Sequence, residues 1–326
     1  MTHAAQPPVG LDELESLMHR AWLAPERESL DGWVMRSAGS VTQRANSVWP
    51  SSAPPDLDAA LGAAAAWYAS RRQPVTFQLT DRPENAALDG LLDRQGYSRQ
   101  SETVIMTAVG PGPVQRAAGH GTVPTAAGPG TVPTAAGPGT VPTAAGPGTG
   151  AGRGAKIRLS GHPSEEWLDL WWRVDGRGGA AERDIARSIL LGTPSVYASA
   201  VDGAGAVLGT GRLSVLDCWG GVYCMAVHPE FRRQGLATAV LGSLMEAGRR
   251  AGASRFWLMV AEANVGARGL YERAGFAEWG RYHYRQAPLR RASSAGGPRR
   301  RGSGMAPKPA TMRAGLDRDP LPRRKR

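Results

Sequence analysis

The chain has 326 residues, two cysteines and a formal net charge of +11. Two cysteines build neither a disulfide framework nor a metal cluster, and no stretch reaches the roughly 18 apolar residues of a membrane-spanning helix. The opening MTHAAQPPVG lacks a charged-then-apolar leader pattern, so the expectation is a cytoplasmic protein with no metal and no membrane contact.

The charge is unevenly placed. Between residues 290 and 326, twelve Arg and Lys stand against two Asp, so ten of the eleven net charges lie there. This tail (289–326) is rich in Pro and Gly and reads as disordered. It is either a solvated tail or one that touches nucleic acid or another polyanion. The ten Trp read as core packing.

In chain order, LDELESLMHRAW predicts a helix. DGWVMRSA and VTQRANSVWP predict two strands joined by a turn. DLDAALGAAAAWYASRR predicts a helix, PVTFQLT a strand, and NAALDGLLDRQGYSRQSETVIMTA a helix, a glycine, an aromatic residue and a strand. The nine-residue unit AAGHGTVPT then recurs as AAGPGTVPT from residues 126 and 135, and decays from residue 144. A unit with only Val as a sizeable apolar side chain cannot bury a face, so 111–154 reads as a disordered linker.

Beyond it, AKIRLS predicts a strand, and PSEEWLDLWWRV and AERDIARSILL predict helices. SVYASAVD, AVLGTGRLSVLD and GGVYCMAV predict three strands with glycine-containing turns. A helix with Leu236, Val240, Leu241, Leu244 and Met245 on one face follows. SRFWLMVAE, apolar on both faces, predicts a central strand. NVGARGLYERAG predicts a short helix ending at Gly275, and FAEWGRYHYRQ a last strand. The helix–glycine–aromatic–strand ending occurs in both segments, at Gly96–Tyr97 and Gly275–Phe276. Residues 1–110 therefore read as a degenerate relative of residues 155–288.

Chemistry concentrates in VHPEFRRQGLA, residues 227–237. Pro229 stops a strand. Gly235 lets a ligand approach the backbone at the mouth of the next helix. The first N–H groups of a helix lack internal partners and carry the positive end of its dipole. With Arg232 and Arg233 beside them, they form an anion site suited to a phosphate or pyrophosphate. No Gly-Lys-Ser/Thr and no G-x-G-x-x-G occurs here, which excludes the P-loop and the dinucleotide fingerprint.

The stretch resembles the acetyl-CoA loop of the GCN5-related N-acetyltransferase (GNAT) family, Arg/Gln-x-x-Gly-x-Gly/Ala. Arg232, Gly235 and Ala237 match it after a Val-x-Pro, and Asn264, Ala267, Leu270, Tyr271, Gly275 and Phe276 match the family's second signature roughly 30 residues on. The resemblance implies an α/β (α+β) fold: a mixed, mostly antiparallel GNAT sheet flanked by helices, preceded here by the degenerate GNAT-like module. It implies acetyl-CoA as cosubstrate, lying where the module's fourth and fifth strands splay apart. By resemblance, backbone groups of Met225 and Val227 hold the pantetheine arm. The N–H groups of Arg233, Gln234, Gly235, Leu236 and Ala237 hold the pyrophosphate. Asn264 positions the cosubstrate, and Tyr271 protonates the leaving thiolate. Glu262 is the leading candidate base, with Glu230, His228 or a water as alternatives. A backbone N–H of the fourth strand is the natural stabiliser of the developing oxyanion.

In the first segment, strand alternation would place Arg44 and Asn46 on one face, where they could grip a carboxylate. The Gly-Trp and Arg-Ala-Asn-Ser stretches resemble actinobacterial acetyltransferases with a degenerate module before the active one, some labelled N-acetylglutamate synthase. The reading is direct acetyl transfer, in a ternary complex, to a primary amine such as that of a small amino acid like glutamate. A protein N-terminus, an amino-sugar thiol precursor, or non-catalytic acyl-CoA binding are the alternatives. A monomer and a homodimer are both compatible with the sequence.

Overall fold

The computed structural model of the chain describes residues 10–39, 41–110 and 155–288. The expected linker and basic tail lie outside the described residues. Among the described residues, no helix is long and apolar enough to cross a membrane.

The first segment holds α1 (Leu11–Ala21), β1 (Glu26–Leu30), β2 (Trp33–Ser37), the short β3 (Trp49–Pro50), α2 (Leu57–Ser70), β4 (Thr76–Thr80), α3 (Pro83–Arg94) and β5 (Ser98–Val109). The second holds β6 (Lys156–Ser160), α4 (Glu165–Asp175), α5 (Ala180–Leu191), β7 (Ser195–Val201), β8 (Val207–Leu216), β9 (Trp219–Val227), α6 (Leu236–Arg250), β10 (Arg255–Ala261), α7 (Val265–Arg273) and β11 (Ala277–Gln286). In the second segment the predicted order of strands and helices matches the observed one.

Two predictions for the first segment fail. VTQRANSVWP is not a continuous strand: Trp49–Pro50 pair with β2, and Val48 makes a single parallel bridge to Phe77. The Asn46 side chain explains this. Its Oδ1 accepts from Ala38 N at 2.8 Å, and its Nδ2 donates to Val41 O at 2.9 Å and Thr42 O at 2.8 Å. A short polar side chain that bonds its own loop competes with a strand ladder. The second miss is β1, whose residues are nearly all exposed, so it carries no apolar alternation to read.

Eight strands form one sheet in the order β4-β11-β5-β10-β9-β8-β7-β6, and β1-β2-β3 form a second. The first four positions alternate between the segments. β11 lies antiparallel between β4 and β5, and β5 lies antiparallel between β11 and β10. Each segment thus places its last strand between two strands of the other. The two helix ends that launch these strands are alike. Gly96 and Gly275 take φ of 79° and 91°. Tyr97 N bonds Leu92 O at 3.0 Å, and Phe276 N bonds Tyr271 O at 3.0 Å. This is the helix-ending pattern that a left-handed glycine permits.

The sheet separates two cores. On one face Trp22, Trp167, Trp171, Tyr223, Trp257, Tyr282 and Tyr284 pack with α1, α4 and α5, so both segments share this core. On the other, Leu236, Val240, Leu241 and Leu244 of α6 pack with Phe256, Leu258, Tyr271 and Phe276. A third core, under α2 and α3, gathers Trp33, Phe77, Leu79, Leu88 and Leu92. Burying each such side chain contributes about 1.5–3 kcal/mol before conformational entropy is subtracted.

Candidate active site

β9 and β10 run parallel and pair only at their starts, from Arg255↔Trp219 to Leu258↔Val222. Beyond that, β9 continues against β8 as far as Val227, and β10 continues against β5 as far as Ala261. The β10-facing edge of residues 223–227 therefore has no strand partner. A bulge widens the gap. Thr210 pairs with Ala226 and Arg212 with Tyr223, so Gly211 faces two residues, Cys224 and Met225. Cys224 takes a φ of 54°, and its carbonyl accepts from Thr210 Oγ1 at 3.1 Å. Gly211 is required here: a Cβ would lie 2.7 Å from side-chain atoms of Leu244 and Val240. This is the splay expected between the fourth and fifth strands of the second segment.

β9 leads through the turn Pro229–Phe231 to α6. Arg233 and Gly235 both take left-handed backbone, at φ of 60° and 80°, on either side of Gln234. For Arg233 that conformation costs about 1 kcal/mol or more. Gly235 occupies the N-cap position and offers no side chain to cap the helix. The first N–H groups, Leu236 and Ala237 among them, thus lack an intrahelical partner. Arg232, Arg233 and Gln234 are exposed. Arg232 folds back to donate from Nε to Val227 O at 3.3 Å. The fit to an anionic pyrophosphate is good: bare donors, a helix dipole worth about 0.3–1 kcal/mol and two cations.

Tyr271 lies on the core face of α7, 8% exposed, with its ring edge-on to Phe276. Burial pushes its phenol up to about 12, and the Asp175 carboxylate adds to the shift. At neutral pH the group keeps its proton and can donate it. Asn264 caps α7, its Oδ1 accepting from Ala267 N at 3.1 Å, so its carbonyl oxygen is already engaged. Met225 and Val227 are half-buried against the α6 core, on the open edge of β9.

Glu262 follows β10 directly. Its carboxylate is in ion-pair contact with Arg281, which also bonds Glu278 at 2.7 Å. Glu262 also borders a cleft of about 630 Å³ with Asp89, Glu102 and His283. Neither Tyr271 nor any residue of β9 or the anion loop lines that cleft. His228 packs its ring against Phe231, and Glu230 is exposed on the turn.

Arg44 and Asn46 do not share a strand face, because the strand is absent. Asn46 braces its loop. Arg44 instead reaches the shared core, part-buried, donating from Nη2 to the Tyr282 hydroxyl at 3.1 Å. Its guanidinium carbon lies 5.7 Å from the Trp22 ring and 5.6 Å from the Tyr223 ring. Burial opposes its charge, but Tyr282, Tyr284 and Tyr223 outweigh that and hold it as a cation.

Two residues near the bulge escaped the sequence reading. Arg212, on β8, is fully buried and lies 5.7 Å and 5.5 Å from the same two rings. Its signal was a lone cation inside the apolar run AVLGTGRLSVLD. Asp175 ends α4, and nothing in its local sequence marks it. Cys224 is half-buried. Burial raises it to about 12; Arg212 and Arg44 oppose this, and Asp175 adds to it. It is no nucleophile at neutral pH.

Fold and site together define an α/β acyltransferase architecture: a mixed, mostly antiparallel GNAT sheet flanked by helices. Residues 163–276 match the family model described as Acetyltransferase (GNAT) family. That segment resembles the acetyltransferase domains of the GNAT family, N-acetyltransferases whose cosubstrate is acetyl-CoA. The chain is 25% identical over 273 residues to the uncharacterized N-acetyltransferase YobR of Bacillus subtilis (strain 168), covering 84% of this chain and 97% of that protein. Its fold is similar to that of a GCN5-related N-acetyltransferase from Kribbella flavida, at 15% identity and a TM-score of 0.55, covering 86% of this chain and 97% of that one. It is also similar to a tandem GNAT protein from the clavulanic acid biosynthesis pathway, at 17% identity and a TM-score of 0.52, covering 87% and 90%.

Proposed function

We propose that the protein transfers the acetyl group of acetyl-CoA directly to the primary amine of a small amino acid, of which glutamate is one candidate. The observation that carries this reading is the unpaired edge of β9 beside a bare helix N-terminus. In this reading the open edge at Met225 and Val227 receives the pantetheine arm, and the N–H groups from Arg233 to Ala237 receive the pyrophosphate. Arg232 and Arg233 add positive charge, and Asn264 shapes the start of α7. Tyr271, kept protonated by burial, donates its proton to the departing thiolate. A β9 backbone N–H freed by the bulge stabilises the charge that develops on the carbonyl oxygen.

For the acceptor, the part-buried Arg44 favours a small acid over a peptide in an open groove. The basic tail plays no part in this chemistry.

Free-thiol release from acetyl-CoA tests the reading, with amino acids, short peptides and amino sugars as acceptors. Release with amino acids, strongly reduced in Tyr271→Phe, is the expected result. Release only with peptides or amino sugars would reassign the acceptor. Tight acetyl-CoA binding without release would make this a binding protein.

A further inference from the structure

Two arginines of the first segment, Arg36 on β2 and Arg44 on the loop after it, border one small cavity. The centre of a water-sized sphere can move through about 10 Å³ there, which is room for one water or one monatomic ion. Glu15, Met18 and His19 of α1, Trp49 of β3 and Gln78 of β4 complete the lining.

The lining is rich in donors left over from other bonds. Arg36 gives its Nε to Ser47 O at 3.0 Å and its Nη2 to Ser47 Oγ and Gln78 Oε1, both at 2.8 Å. Arg44 gives its Nη2 to the Tyr282 hydroxyl, and its Nε is buried and without a partner. His19 Nδ1 is likewise buried and without a partner. Because Gln78 accepts from Arg36 through its oxygen, the other end of its amide is the NH₂ donor.

The charges point the same way. Among the described residues neither Arg36 nor Arg44 forms an ion pair, and Arg36 is 2% exposed. Glu15 is the one carboxylate of the lining, and its bonds lead elsewhere. It accepts from Thr80 Oγ1, from Trp49 Nε1 at 3.4 Å, and lies 3.4 Å from Arg82 Nη2. Two guanidiniums against one carboxylate leave a surplus of one positive charge at the cavity. A buried cation without an anion is costly, and burial is the largest influence against the Arg36 charge.

We infer that this cavity binds a single chloride ion, held by Arg36, Arg44, His19 and Gln78. The ion neutralises the surplus charge and ties α1, β2, the Arg44 loop and β4 together. Water would satisfy the donors and leave the charge, and the volume is too small for an organic carboxylate or a phosphate. His19, neutral at pH 7, donates through the tautomer protonated at Nδ1. The ion also fixes the side of Arg44 that Tyr282 does not hold. The site is independent of acetyl transfer, so stability and anomalous scattering report on it without turnover.

The test uses the full chain in gluconate buffer at constant ionic strength. Exchanging gluconate for chloride, from 1 to 100 mM, should raise Tm by roughly 2–5 °C, and bromide should act alike. Crystals in bromide should show an anomalous peak bordered by Arg36, Arg44, His19 and Gln78. Gln78→Glu keeps the acceptor for Arg36 and adds a carboxylate to the lining, so both the chloride response and the peak should vanish. If that variant does not fold, the wild-type peak together with the wild-type Tm response decides. No anomalous peak in the cavity would mean a water there and overturn the proposal. A peak without a rise in Tm would be an adventitious ion only and would overturn it too. So would a chloride response that persists unchanged in Gln78→Glu.

Discussion

Arg44 donates to the Tyr282 hydroxyl at 3.1 Å across 238 residues of chain. The bond joins a loop of the first segment to the last strand of the second. It holds the Arg44 guanidinium between Trp22 and Tyr223, on the core face that borders the splay. Both segments thus contribute to the shared core around Trp22 and Tyr223.

Tyr282→Phe removes the acceptor of that bond and leaves the ring. Arg44 would lose its fixed orientation. The KM for an acidic acceptor should rise several-fold with kcat nearly unchanged, and stability should fall by about 1 kcal/mol. Steady-state kinetics with urea unfolding of the same variant checks both.

Tyr271→Phe removes the proposed acid. A decrease in kcat of roughly 10²- to 10⁴-fold is expected, with acetyl-CoA affinity retained. Because burial pushes the phenol up to about 12, its loss of a proton should not limit the wild-type rate between pH 7 and 10. A basic limb near pH 8 that disappears in the variant would contradict this.

His19 gives the fold an acid sensitivity. Burial lowers its pKa to about 4 from an ordinary 6.5, with Arg36 and Arg27 adding to the shift. The unfolded chain takes the proton first. The stability His19 contributes is therefore complete above pH 6.5 and is lost as pH falls towards 4. Between pH 7 and 5 the loss is about 1–2 kcal/mol, allowing for its partial exposure. Glu15 works in the opposite direction, because burial raises it while Thr80 and Trp49 hydrogen bonds oppose the rise. Its penalty eases as pH falls towards 4.5. Replacing His19 with Gln should flatten the pH dependence of urea unfolding below pH 6.5.

Gly211→Ala tests the bulge. The added methyl would lie 2.7 Å from Val240 Cγ1 and Leu244 Cδ1 and 2.8 Å from Met225 Sδ. Overpacking of this kind costs about 1–3 kcal/mol. Because Met225 must move, the KM for acetyl-CoA should rise as well. Thermal unfolding with acetyl-CoA titration separates the two effects.

Removing residues 290–326 takes away ten of the eleven net charges. A small acceptor does not need them, so kcat/KM should stay within about twofold of the full chain. A large loss would tie the tail to catalysis.

The second segment was legible because its signals are local. Apolar spacing marked α6, a two-sided apolar run marked β10, and Pro229, Gly235 and Gly275 marked where elements stop. These positions are set by backbone conformation, which neighbouring residues determine. The first segment was less legible. β1 is an exposed strand with no apolar rhythm, and the stretch around Arg44 has strand-like composition that Asn46 overrides with three side-chain bonds.

The sequence by itself determined the strand–turn–helix junction at Pro229 and Gly235, the two helix-ending glycines and the position of Tyr271 one turn before Gly275. Each depends on contacts a few residues apart. Only the tertiary structure decided that β5 and β11 exchange places between the segments, and that Arg44 and Arg212 meet at the Trp22 and Tyr223 rings. Those relationships join residues far apart along the chain, and no local spacing carries them. They exist because strands of both segments hydrogen-bond into one sheet whose shared core brings distant charges together.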